Sequence, residues 1–92
     1  MKLEPTVYAN YFLMIGANDT PVGVQINGVV AFELDDVVYV SDDGHGYICP
    51  NVTRGGLGKI VEIRRDDTDH FFGVQMDNGQ FGYMKRARLM RL

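Results

Sequence analysis

The sequence predicts an all-β fold, and three observations carry that prediction. Its aliphatic residues are mostly β-branched, with eleven Val and five Ile against four Ala, the bias of residues that pack on a pleated surface. It holds eleven Gly, and nine of its twelve acids are Asp, the residues that turns select. Two Asn-Gly pairs, Asn27-Gly28 and Asn78-Gly79, each follow an alternating apolar run, which is the strongest short-range hairpin signal. No apolar stripe at helical spacing occurs anywhere. Ninety-two residues, 46% of them apolar, suffice for one small core, and a chain of this size buries only about 60–65% of its unfolded surface.

The elements follow in order. Tyr8 to Ile15 is a β-rich run, stopped by the turn-forming cluster Gly16-Ala17-Asn18-Asp19-Thr20-Pro21. Val22, Val24 and Ile26 alternate along the next run, Asn27-Gly28 turns it, and Val30, Phe32 and Leu34 alternate on the way back. Asp35-Asp36 then introduces Val37-Val38-Tyr39-Val40, a short buried strand. Ser41 to Gly56 holds four Gly, one Pro and scattered apolar residues, and long loops on small scaffolds are where binding residues gather. Gly58 to Ile63 is a strand, and Arg64 to Asp69 a charged turn. Phe72, Val74 and Met76 point inward from the strand after it, which leaves Phe71 outward with Gln75. Asp77-Asn78-Gly79 turns into Phe81-Gly82-Tyr83-Met84. Lys85 to Arg88 is too short for an α-helix and predicts a 3₁₀ turn before a last strand, Leu89 to Leu92.

From Asp36 onward this order resembles the SH3-like barrels, above all those of the KOW and tudor type. The residues that carry the resemblance are Asp36-Val37-Val38-Tyr39-Val40 as the opening strand and Gly56-Leu57-Gly58-Lys59-Ile60-Val61-Glu62-Ile63 as a Gly-led second strand. Phe72 to Gly79 then serves as a strand with its hairpin turn, and Phe81 to Met84 as the strand before a 3₁₀-like turn and a closing strand. The resemblance implies a small SH3-like barrel over residues 35–92, with residues 1–34 as an N-terminal β-hairpin or meander extension packed on it. The Ala-Leu-Tyr-Asp-Tyr signature and the Trp of SH3 domains that bind proline-rich peptides are both missing, which argues against that ligand.

The chemistry of catalysis is thinly represented. Asp42, Asp43, His45 and Cys49 are the densest reactive set, but zinc sites show paired Cys or His at fixed spacing, and none is here. A Cys49 nucleophile served by His45 or His70 has no supporting motif. Gly55-Gly56-Leu57-Gly58-Lys59 fails as a phosphate-binding loop, because Thr53 stands at the earlier Gly position, Ile60 replaces the Ser or Thr, and a strand follows. The expectation is a protein without enzymatic activity, metal or cofactor. The single Cys permits no internal disulfide and suits a reducing, cytoplasmic setting. The apolar run Tyr11 to Ile15 is too short for a signal peptide or a membrane span.

Binding is the expected work. The formal charge of −3 conceals a split: residues 1–50 carry one base and seven acids, whereas residues 51–92 carry eight bases and five acids. An acidic and a basic half on one small body suit docking onto a protein partner, or head-to-tail assembly into a homo-oligomer. Tyr39, Tyr47, Phe71, Phe81 and Tyr83 exceed what so small a barrel must bury, and aromatic residues are favoured interface anchors. The candidate binding residues are His45, Tyr47, Arg64, Arg65, Phe71, Tyr83, Lys85, Arg86 and Arg88. The alternative is nucleic-acid or ribonucleoprotein binding through the basic C-terminal segment, with Lys and Arg on phosphates and rings stacked on bases.

Overall fold

A computed structural model describes residues 2–41, 55–65 and 71–92, the side chain of Phe71 excepted. Among these residues the regular structure is all β apart from a single 3₁₀ turn, Arg86–Arg88, and a tight turn at Ala17–Asp19 in which Asn18 and Asp19 take positive φ. Nine strands form two antiparallel sheets: β1 (Lys2–Pro5), β2 (Tyr11–Ile15), β3 (Pro21–Ile26) and β4 (Val29–Glu33) in one; β5 (Val37–Val40), β6 (Gly56–Arg64), β7 (Phe71–Met76), β8 (Phe81–Lys85) and β9 (Leu89–Arg91) in the other. The first sheet is a plain meander, β1-β2-β3-β4, and the second has the order β8-β7-β6-β5-β9. Its last strand therefore returns to pair with its first, Val40 opposite Leu89 and Tyr39 opposite Met90.

The hairpin at Asn27-Gly28 has the backbone its sequence demands. Both residues take positive φ, 54° and 79°, as a tight turn matched to strand twist requires. The first strand foreseen from Tyr8 begins instead at Tyr11. Thr6 redirects the chain there: its hydroxyl donates to Tyr11 O at 2.8 Å and accepts from the Tyr8 amide at 3.1 Å. The segment before it supplies β1, an edge strand in which Pro5 is tolerated because a sheet edge needs no donor on its outer side. Val37–Val40 alternates rather than being buried throughout, with Val38 and Val40 enclosed and Val37 and Tyr39 exposed.

One hydrophobic cluster joins the sheets. Tyr11, Leu13, Ile15, Val24 and Phe32 face Val38, Val40, Ile60, Ile63, Phe72, Val74, Met76, Met84 and Leu89. At its centre the Phe32 and Phe72 rings, one from each sheet, lie 5.2 Å apart at a tilt of 55°, the inclined geometry that aromatic quadrupoles favour. The core closes tightly over Gly58, where an added Cβ would stand 2.6 Å from Val74 Cγ1 and 3.1 Å from the Gln75 carbonyl.

The corner between β4 and β5 is clamped from three sides. Asp35 adopts φ 72° and its amide donates to Ile60 O, while the Ile60 amide donates to Asp36 O. The Asp36 carboxylate accepts from the Glu33 amide at 2.8 Å and from Arg91 Nε at 2.9 Å. The chain thus leaves one sheet and enters the next with its backbone groups satisfied by β6.

Candidate docking face

Side chains alternate along β5 to β9, so the second sheet has one face on the core and one outside. The register sorts the outer face into rows that cross the strands. One row runs Met90, Tyr39, Leu57 on β9, β5 and β6, and Asp77 follows opposite Leu57, its amide donating to Leu57 O at 3.0 Å. The next runs Leu92, Val37, Lys59, Gln75, Phe81, with the Leu92 amide donating to Val37 O. Beyond a bulge at Val61, Glu62 and Tyr83 flank Gly73, and the last row holds Arg64, Phe71 and Lys85.

The β9-β5-β6 part of this face is apolar and open. Met90, Tyr39 and Leu57 are 65%, 42% and 43% exposed, and Val37 and Leu92 beside them are exposed as well. Five neighbouring apolar side chains in water are a patch, unlike single surface apolar residues, and patches mark contacts. Lys59 and Asp77 border it, both exposed, and neither has an ion-pair partner among the described residues.

The β6-β7-β8 part is polar and already organised. Gly73 is the reason its rings can lie across β7, since a Cβ there would meet Phe81 Cζ at 3.0 Å, Glu62 Cβ at 3.1 Å and Tyr83 Cε1 at 3.2 Å. Phe81 and Tyr83 pack edge to face, 5.2 Å between centroids. The Tyr83 hydroxyl donates to Glu62 Oε1 at 2.6 Å, and the Arg64 guanidinium stands 5.2 Å from the Tyr83 ring centre. The hydrogen bond to Glu62 is the main cause holding the Tyr83 phenol above the ordinary tyrosine value of 10, with desolvation and the Glu62 charge adding to it and Arg64 opposing. A raised phenol favours the protonated form in the fold, so the contact is complete below the ordinary tyrosine range and lost as pH rises through the raised value. Glu62→Ala is expected to return Tyr83 to earlier titration, read as ultraviolet phenolate absorbance against a Tyr83→Phe background; an unchanged curve contradicts the assignment.

The basic residues foreseen as one binding edge are dispersed. Arg65 donates to Glu4 at 2.9 Å and pairs with Asp19 at 3.3 Å; the Glu4 hydrogen bond leads the causes that raise it further above its ordinary value. Arg86 lies over the Tyr11 ring, 5.2 Å from its centre, and near Tyr8. Arg88, expected on the surface, is 3% exposed. Its guanidinium donates to Ser41 O through Nε at 3.0 Å and through a second, shorter bond from Nη2, while the Ser41 amide donates to Arg88 O. Arg91, a base of the C-terminal segment that is not among the candidate binding residues, holds Glu33 and Asp36 and donates to Val30 O. The ion pairs of Arg65 and Arg91 all join the basic part of the chain to the acidic part. The charge split in the sequence is thus partly a set of internal partners.

Of the other candidates, Arg64, Tyr83 and Lys85 share the outer face of β6-β7-β8, with the Phe71 position between Arg64 and Lys85 in register. His45 and Tyr47 lie outside the described residues, as do Asp42, Asp43, Cys49 and His70. Among the described residues no group of three or more His, Cys, Asp or Glu side chains is placed to hold a metal ion, and no helix is long and apolar enough to cross a membrane. Comparison of the chain with protein-family models, with curated proteins and with solved structures finds no match.

Proposed function

We propose that this chain is a non-catalytic binding module on an SH3-like framework that docks a protein partner on the outer face of β9-β5-β6. The observation that carries the proposal is the unbroken exposed row Met90, Tyr39, Leu57 with Val37 and Leu92 beside it. The partner it fits presents a matching apolar strip bordered by one acid and one base, to meet Lys59 and Asp77. The framework is supported by the strand order, with the closing strand beside the opening one, and by the 3₁₀ turn Arg86–Arg88 before it. Nucleic-acid binding through the C-terminal segment is disfavoured because Arg88 is interior and Arg91 is held by two carboxylates; phosphates need cations that are free to meet them.

The test is capture by the immobilised chain from lysate of cells that express it. Tyr39→Lys, folded by circular dichroism, is expected to abolish capture of a protein that the unaltered chain retains, while Arg64→Ala leaves capture intact. Equal capture by Tyr39→Lys, capture of nucleic acid alone, or no capture by the unaltered chain overturns the proposal.

A further inference from the structure

We infer that the partner on this face is a second copy of the same chain, related by a two-fold axis that pairs Lys59 of each copy with Asp77 of the other. This rests on the docking reading above and goes beyond it by naming the occupant. A two-fold interface is self-complementary, so any charge at its border needs its opposite on the same patch. The patch meets that condition with Lys59 and Asp77, one of each sign, both exposed and without an internal ion pair among the described residues. Of the charges at the sheet junction, Glu33 and Asp36 are already paired with Arg91, and Lys59 and Asp77 are the exposed charges that border the apolar row.

Their positions fit one axis. Asp77 lies one strand from Leu57, and Lys59 lies two residues from Leu57 along β6. Strand spacing makes the first step about 4.8 Å, and the rise per residue makes the second about 6.8 Å. The two positions are exchanged by an axis lying in the face along the perpendicular bisector of the line that joins them, which passes within about 2 Å of Leu57. The same axis continues past Tyr39, the next residue of that row. It therefore stacks Tyr39 and Leu57 of one copy against their equivalents in the other, seals the apolar row from water, and sets the two Lys59–Asp77 contacts at the border. Association of this kind is isologous and closes at two copies, unlike the head-to-tail arrangement that the charge split of the sequence suggests.

Sedimentation equilibrium of the purified chain tests the inference. The expected result is a dimer whose dissociation constant rises with added salt and rises by about tenfold or more for Lys59→Asp or Asp77→Lys, since each change sets like charges face to face twice in the dimer. The double exchange, Lys59→Asp with Asp77→Lys, restores the dimer, an outcome that a merely misfolded variant does not give. Tyr39→Lys yields a monomer with an unchanged circular-dichroism spectrum. A monomer at all concentrations, or a dimer that none of these variants disturbs, overturns the inference. Monomeric behaviour together with lysate capture that still depends on Tyr39 removes the second copy as occupant and leaves the docking reading standing, whereas loss of that capture as well removes both.

Discussion

Phe72→Ala is expected to lower the stability of the fold by about 4 kcal/mol, the range for removing a fully buried phenyl ring from a core that only partly collapses around the space. Phe72 has no exposed surface, and its ring meets Phe32 across the gap between the sheets. The loss therefore falls on the joint itself. Stability of a domain this size is on the order of 5–10 kcal/mol, so the variant sits near the edge of folding. Denaturant titration followed by circular dichroism and by tyrosine fluorescence checks both size and sharing. The two signals are expected to coincide, because one cluster serves both sheets. Separate transitions, or a loss under about 1 kcal/mol, contradict a common core.

The second large effect belongs to Arg88. Arg88→Ala is expected to cost about 3 kcal/mol, combining the loss of charge-assisted hydrogen bonds with the space left by a buried side chain. The guanidinium donates to Ser41 O from two nitrogens, and truncation removes both of these bonds while the backbone bond from the Ser41 amide to Arg88 O remains. Arg88→Lys restores the charge but not the forked geometry and recovers only part of the loss. Urea midpoints of the three proteins provide the measurement. A surface arginine engaged with an outside ligand would change stability by less than about 0.5 kcal/mol when truncated, so the same experiment separates a structural arginine from a binding one.

The parts of this fold that could be read in the sequence are those governed by neighbours along the chain. Asn27-Gly28 and Asn78-Gly79 announce their turns because positive φ is costly for most residues and cheap for Asn27, Gly28 and Gly79, which adopt it. Phe72, Val74 and Met76 reveal an inward face because strand geometry repeats every two residues. Arg86–Arg88 is a 3₁₀ turn because three residues cannot complete an α-helical unit. The parts that could not be read depend on residues far apart. Lys2–Pro5 has no strand pattern of its own and becomes β1 through pairing with β2. Val61 occupies an apolar position in a regular strand, yet the register slips there between Ile60 and Glu62, and that slip sets Glu62 beside Tyr83. Arg88 looked like one more base on a charged segment; its acceptor is a backbone carbonyl at Ser41, which no composition or spacing discloses. The docking row was half visible, since Tyr39 stood out as a surplus aromatic, but Leu57 and Met90 join it only through cross-strand register.

The return of β9 to β5 has a meaning in time as well as in space. Strands β1 to β4 each pair with the next in the chain, so their contacts form after short searches. Val40 and Leu89 are partners separated by about fifty residues, and closing so long a loop carries an entropy cost that local hairpins avoid. Non-local pairing of this kind slows folding. The meander and the β6-β7-β8 hairpins thus have the shorter searches, and β9 has the longer one. Arg91, which joins the end of the chain to Glu33 and Asp36 at the corner between sheets, engages only when β9 arrives. Its ion pairs therefore depend on the same long closure as the pairing of β9 with β5.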